Sequence, residues 1–362
     1  MRGELPNQPG CISLINVETM IPAAHPIRAI KRLCAEVLAT MSKAFDEIYS
    51  ADGAPSIPPE TRLKGKVLQA LYPVRSDRQL CARLQTDLMF RWFVGRPLDQ
   101  AVFAASTYSK NQSRLLQHEI ADLFFTAVVE LARHHDWVSD EHFSVDGTLI
   151  EAWASMKSFR PKDETKGPGA GNAWTDFQGE KRGNDTHAST TDPEAKLIRK
   201  GPGKEARLSF AGHATMENRH GLCVRFAVKP AVGVPESAVA VEQMSELRHL
   251  GFRPKSVGAD KGYHTAEFID GMREQKIVPH PALKTGQKTL RVLLTSAHAI
   301  SQRIRKRIEE IFGWSKTTGG FRKSRDRGVE RTHAQGQYVT ATWNLVRMAK
   351  LMSGDPPQTA RA

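Results

Sequence analysis

The chain has 362 residues, with 52 Lys or Arg against 39 Asp or Glu and a formal net charge of +13. That length supports one large domain or two modest ones, and the basic excess points to a polyanion partner, because each cation that neutralises a phosphate releases a counterion. The cysteines Cys11, Cys34, Cys81 and Cys223 are scattered without a CxxC pair, which argues against a zinc site or disulfide framework and fits a reducing cytoplasm. No run of about 18 apolar residues and no signal-peptide pattern is present, so a soluble, cytoplasmic protein without membrane contact is expected.

Residues from about 25 to 135 read as helical. Between 25 and 49, Ile27, Ile30, Leu33, Val37, Leu38, Met41, Phe45 and Ile48 recur at helical spacing. Pro58-Pro59 suits the first turn of a second helix, and Ser76 with Gln79 has the spacing of a capping box ahead of Leu80 and Leu84. A long helix over 113–135 is expected to bury Leu116, Ile120, Leu123, Phe124, Val128 and Leu131. His134 and His135 at its end read as favourable charges at a helix C-terminus.

Near Asp140 the period changes. Phe143, Val145, Gly147 and Leu149 alternate with His142, Ser144, Asp146 and Thr148, a half-buried strand. The polar stretch 157–205 has too few apolar residues for a core and reads as a long loop or insertion. Two strands at 208–215 and 222–228 turn through 217–221 as a hairpin. A helix over 236–250, a short strand at 256–259, a helix over 266–275 and a strand at 276–279 follow. From 304 to 316 a single amphipathic helix is expected, with Ile304, Ile308, Ile311 and Phe312 inward. Trp314 is expected to pack in the core, and a final helix over 335–352 to pack on the sheet through Val339, Trp343, Val346 and Leu351.

Three acids stand out against this frame: Asp146 before Gly147-Thr148, Asp260 at the end of the 256–259 strand, and Glu309 in a basic helix. Arg305, Glu309 and Lys316 are spaced four and seven residues apart and would share one helical face. Glu310 points about 100° away and reads as a surface residue. Taken alone, Asp146 and Asp260 read more readily as ordinary turn residues, and Glu309 is a choice against its neighbour Glu310. In this order and with these flanks they read as an Asp/Asp/Glu nucleotidyl-transfer site. Phosphodiester cleavage needs an activated attacking oxygen and a stabilised leaving oxygen, which two divalent cations about 3.5–4 Å apart can serve. Like charges so gathered should raise one another's pKa until a metal binds.

These motifs resemble those of the DDE transposases of the IS5 insertion-sequence family, in the wider IS4/IS5 group. The resemblance is carried by Asp146 in SVDGTLIEAWAS, Asp260 in GADKGY and Glu309 in RIRKRIEEIFGWSK. The group's Arg-x3-Glu-x6-Lys signature is met by Arg305, Glu309 and Lys316. It extends to GAPSIPPE and FRWFVG near the start and NLVRMAKL near the end. Two elements depart from the group: Gln302 stands where a Tyr is common, and 288–297 replaces a polar segment containing Arg and Asp.

The resemblance implies an α/β (α+β) fold in which a ribonuclease-H-like catalytic core follows a helical N-terminal domain, and the order strand, hairpin, helix, strand, helix, strand, helix agrees with it. The implied domains are 1–137 for DNA binding or assembly, 138–353 for catalysis with the insertion at 157–205, and a flexible tail at 354–362. The implied activity is binding of element ends followed by metal-dependent strand cleavage and strand transfer. Two Mg²⁺ or Mn²⁺ ions would be held by Asp146, Asp260 and Glu309. Arg305 and Lys316 would contact phosphates, joined by the basic run Arg322, Lys323, Arg325, Arg327 and Arg331. Expected partners are double-stranded DNA, from element ends and target, and a second copy of the chain on that DNA, in a bacterial cytoplasm near the nucleoid. Two rivals use the same residues: a ribonuclease-H-like nuclease without strand transfer, and a non-catalytic DNA-binding copy, which the atypical 288–297 segment favours.

Overall fold

The computed structural model describes residues 16–48, 56–110, 112–162, 183–201, 203–284 and 295–354. Cys11, the first part of GAPSIPPE, the centre of the polar stretch, most of the 288–297 segment and the tail from 355 lie outside the described residues.

Helices α1 (Val17–Met20), α2 (Ile27–Thr40), α3 (Ser42–Ile48), α4 (Pro59–Leu71), α5 (Asp77–Thr86), α6 (Leu88–Val94), α7 (Ala105–Lys110), α8 (Gln112–Gln117) and α9 (Ile120–His134) precede the first strand. Pro59 occupies the first turn of α4, where its missing N–H costs nothing. Ser76 caps α5 by accepting the Gln79 N–H at 3.1 Å, while Gln79 Oε1 accepts the Arg75 N–H at 2.9 Å. Two expected helices are divided. The first breaks at Met41, although Ile27 through Phe45 keep their buried stripe. The second breaks between α8 and α9, where Glu119 takes a left-handed φ of 49°. That break resets the phase, so α9 buries Phe124, Phe125, Val128, Val129 and Ala132 and leaves Leu123 exposed at 43 %, not buried as expected.

The remaining elements are β1 (His142–Glu151), β2 (Phe159–Pro161), β3 (His187–Ser189), β4 (Lys196–Arg199), β5 (Ala206–Glu217), β6 (Cys223–Pro230), α10 (Glu236–His249), β7 (Ser256–Ala259), α11 (Ala266–Glu274), β8 (Val278–Pro281), α12 (Ser296–Ile304), α13 (Ile308–Lys316) and α14 (Val329–Met352). One mixed sheet runs β5-β1-β7-β8, with β4 and β6 both along the outer side of β5. β5 is antiparallel to β1, β4 and β6, while β1, β7 and β8 are parallel, as in a ribonuclease-H-like core. The last of these strands starts two residues later than the sequence suggests.

The polar stretch is not all loop. β2 pairs with β3, β4 joins the main sheet, and Asp192 and Ala195 are buried. Leu197 finds its partner Leu208 on β5, outside the stretch, which local patterning does not register. The expected 304–316 helix is likewise two helices, joined by a 3₁₀ turn over Arg305–Arg307. Arg305 therefore lies in the 3₁₀ turn and outside the helix that carries Glu309 and Lys316, so the expected spacing along one continuous helix does not hold.

α14 begins six residues earlier than expected and packs on α2, α4 and α9 as well as on β6 and α13. A helix covered on several sides needs its polar groups answered internally. Asn344 accepts the Cys223 N–H at 2.8 Å and donates to the Cys223 carbonyl at 2.7 Å, stitching α14 to β6. Gly336 lies against the Phe226 ring so closely that a Cβ would collide with it. Trp314 packs on Trp343 with ring centroids 5.8 Å apart. Among the described residues no helix is long and apolar enough to cross a membrane.

Candidate active site

Strands β1 and β7 run parallel with Ser144 opposite Gly258. Two residues past that pair, Asp146 continues β1, while Asp260 follows directly on the end of β7 at Ala259. Asp146 is half-buried, and its Oδ1 accepts the N–H of Gly147 at 2.8 Å. Burial is the main cause that pushes its carboxyl up to about 6; the negative charges of Glu236 and Asp260 add to this, while Arg305 and the Gly147 bond oppose it. Asp260 caps the short turn Lys261–Tyr263, with Oδ1 accepting the Lys261 N–H at 2.6 Å and the Arg305 Nη2–H at 3.2 Å.

Arg305 is held in that position from behind. Its Nε donates to Gln302 Oε1 at 2.9 Å, and Gln302 Nε2 donates to the carbonyls of Ala259 at 3.2 Å and His280 at 2.5 Å. Gln302 thus ties the α12 end to both β7 and β8 and fixes the guanidinium on Asp260. The sequence marked Gln302 only as a departure from the family pattern; its fixing role depends on strand ends remote in the chain.

Glu309 lies one residue into α13, seven residues before Lys316 on the same helix. It is exposed on the first turn of α13 and makes no hydrogen bond or ion pair with the described residues. A further carboxylate nearby is Glu236, on the first turn of α10, whose charge acts on Asp146 and is in turn acted on by Asp260. Its oxygens cross the face of Gly147, where an added Cβ would stand 2.7 Å from Oε1. Burial, then the charge of Asp260, raises the Glu236 carboxyl. Beneath these acids Tyr263 is buried, and its hydroxyl pKa is pushed up by burial and then by Glu236, Asp146 and Asp260. The only sequence signal for this arrangement is the missing side chain at Gly147, since nothing local marks Glu236.

Lys316 donates to Thr148 Oγ1 at 2.5 Å, two residues along β1 from Asp146 and so on the same face of the sheet. Burial, then Lys200 and Arg322, lowers its ammonium pKa, which places those cations in its surroundings. Further along the basic run, Arg322 is exposed and Lys323 pairs with Glu151 at 3.5 Å. Arg327 lies 4.9 Å from the Trp153 ring centroid. Arg325 turns inward instead: its N–H donates to Gln335 Oε1 at 2.9 Å, and burial lowers the pKa of its guanidinium.

Among the described residues no three His, Cys, Asp or Glu side chains are grouped to hold a metal ion. Asp146 and Asp260 nevertheless offer the hard oxygen donors that Mg²⁺ prefers, and Mg²⁺ commonly takes only one or two carboxylates plus substrate phosphate and water. In donor chemistry the pair fits such an ion.

Residues 15–114 match the family model "Transposase domain (DUF772)", and residues 174–345 match "Transposase DDE domain". The second stretch contains Asp260, Arg305, Glu309 and Lys316, whereas Asp146 falls between the two. The chain belongs to the DDE transposases. As such it cleaves and transfers DNA strands, and its metal chemistry is that of a divalent cation. No curated protein matches the sequence. Solved structures with remote likeness include a piggyBac transposase synaptic complex with hairpin DNA, at 10% identity and a TM-score of 0.43 over 92% of this transposase and 77% of that chain. A Mos1 transposase paired-end complex with left transposon end is similar at 10% identity and a TM-score of 0.21, over 90% and 86%.

Proposed function

We propose that this transposase belongs to the IS5 family within the IS4/IS5 group, and that Asp146, Asp260 and Glu309 are its catalytic acids. The observation that supports this most is the placement of Asp146 on β1 and Asp260 just past the end of the parallel strand β7, near enough for their charges to act on one another, with Arg305 seated on Asp260. Asp146 and Asp260 would hold a divalent cation, Mg²⁺ or Mn²⁺, with Glu309 completing a set for two ions. Such a cation supplies charge stabilisation to the attacking and leaving oxygens. Arg305 offsets the charge of Asp260 before DNA arrives and has its remaining donors ready for a phosphate. Lys316 does the same from Thr148, and Arg322, Lys323, Arg325 and Arg327 extend the cationic track for a DNA backbone.

The substrates in this reading are element ends and target duplex, held by at least two copies of the chain in a bacterial cytoplasm. Residues 1–137 serve binding or assembly, and 138–353 serve catalysis. A second reading concerns the third acid: the charge of Glu236 acts on Asp146 while Glu309 is exposed and unpaired, which favours Glu236 in the absence of DNA.

The test is nicking of a duplex carrying the element's own ends, in Mg²⁺ or Mn²⁺. Asp146→Asn and Asp260→Asn should each remove nicking while leaving end binding intact. Full nicking by either variant would overturn the site. Loss in Glu309→Gln with retention in Glu236→Gln supports the first reading, and the reverse supports the second.

A further inference from the structure

Just past the end of β1 the chain holds a large aromatic side chain in solvent. Trp153 is 47 % exposed, although tryptophan is among the residues whose burial stabilises a fold most. Its backbone is fixed. The Trp153 N–H donates to Ser324 Oγ at 2.9 Å, and Ser324 is itself buried, with its N–H on the Glu151 carbonyl at 2.8 Å. The Glu151 N–H donates in turn to the Arg322 carbonyl at 3.0 Å, so the segment around Lys323 runs beside the end of β1 as a short parallel bridge.

Over the indole lies the Arg327 guanidinium, 4.9 Å from the ring centroid and within reach of a cation–π contact. Arg327 is exposed, and its guanidinium makes no hydrogen bond or ion pair with the described residues, so its donors stay free. The chain on either side of it is tied down: Ser324 Oγ donates to the Asp326 carbonyl at 3.0 Å, and the Gly328 N–H donates to Asp192 Oδ2 at 3.1 Å. Ring and guanidinium are thus placed before any partner arrives. Arg322 and Lys323, on the bridge beside β1, are exposed as well.

An aromatic ring held at the surface among cations fits a nucleic-acid strand: the ring stacks on a base of any identity, and the cations follow the backbone. Inside a duplex both faces of a base are covered by its neighbours, so the ring needs a base that has left the stack or ends it. Distance separates this surface from the catalytic acids. The Ala152 N–H still donates to the Leu208 carbonyl at 2.8 Å, so the chain stays extended from Asp146 to Ala152. At about 3.3 Å per residue that stretch spans roughly 20 Å, or about six nucleotides of a stacked strand.

We propose that Trp153 and Arg327 form a stacking platform for one unpaired base of the bound DNA, about six nucleotides from the reacting phosphate. Trp153 supplies the ring and Arg327 a contact to the adjoining phosphate, and neither takes part in breaking or forming a bond. The choice of DNA rests on the transposase reading; the placing of an exposed ring among free cations does not.

The test uses the full chain and a duplex carrying a single-stranded tail of about eight nucleotides, on either strand, against the same tail made abasic. The wild-type chain should bind the tail with bases about 5- to 150-fold more tightly than the abasic tail, and 2-aminopurine in the tail should be quenched in the complex. Trp153→Ala should erase the difference, and Trp153→Phe should keep most of it. Arg327→Ala should lower the slope of log affinity against log salt by about one unit on both tails. Equal affinity of the wild-type chain for the two tails overturns the platform without any variant. An equal loss on both tails in Trp153→Ala also overturns it and makes the ring structural, and so does a full difference retained in folded Trp153→Ala. Should Trp153→Ala not fold, Trp153→Leu, apolar but without a π face, takes its place. Nicking by a chain that ignores the tail bases removes only the platform, whereas discrimination of the tails without nicking removes only the catalytic reading.

Discussion

The β1–β7 junction and the cavity between the N-terminal helices and α14, whose surroundings include Arg62, Arg75, Arg78, Arg325 and Arg331, each concentrate like charge in a partly buried place, but with opposite signs and different remedies. At the junction, carboxylates can take up protons, and Asp146 does so with its pKa pushed up to about 6. One guanidinium, placed by Gln302, offsets Asp260 as well. In the cavity the charge belongs to arginines, whose protons stay on at any physiological pH. The acidic site can therefore shed part of its charge by binding a proton as pH falls below about 6, whereas a guanidinium keeps its charge and must be relieved by a neighbour.

The largest effect expected from breaking the acidic side is on chemistry. A cation held by carboxylates supplies several kcal/mol of transition-state stabilisation. At about 1.4 kcal/mol per tenfold, Asp146→Asn or Asp260→Asn should cost on the order of a thousandfold in nicking rate, measured in single turnover on a duplex of element ends. A smaller loss follows from releasing the guanidinium. Gln302→Ala should reduce nicking by roughly 10- to 100-fold, as removal of an orienting partner around a metal site typically does. Unchanged rates in Gln302→Ala would make Arg305 independent of its backing residue.

Protonation sharpens the same contrast. Because the folded-state pKa of Asp146 is raised from 3.8 to about 6, its favourable contribution is complete below about pH 4 and is lost as pH rises through about 6. Asp146→Asn should therefore be more stable than the parent at pH 8 without added metal, by on the order of 1–3 kcal/mol given its partial exposure. The difference should fade toward pH 4, as read in melts across that range. The smallest expected effect is on salt. Arg305→Ala should lower the salt slope of DNA binding by about one unit, and an unchanged slope would confine Arg305 to its ion pair with Asp260.

Much of the frame was legible because its signals are local. Alternation marked β1, the turn at 217–221 marked the hairpin, and Ser76 marked the start of α5. The breaks at Met41, at Glu119 and over Arg305–Arg307 were not legible, since an apolar stripe continues across each one and packing decides where the helix stops. β4 was hidden for a similar reason: Leu197 gains its place only from pairing with Leu208. Within the site, Asp146, Asp260, Arg305 and Lys316 stood out by motif. Glu236 did not, because its approach to Gly147 depends on how α10 crosses the sheet.

Of the described elements α14 leaves the ribosome last, yet it covers the apolar faces of α2, α4 and α9 and the outer hairpin strand β6. At about 5–20 residues per second of synthesis, those faces stay bare until the segment from Val329 to Met352 emerges. Asn344 then closes onto Cys223 and the Gly336 groove receives Phe226. The helical part and the sheet thus acquire their common core in one late event, and a half-made chain holds its acids in a sheet whose outer wall is still missing.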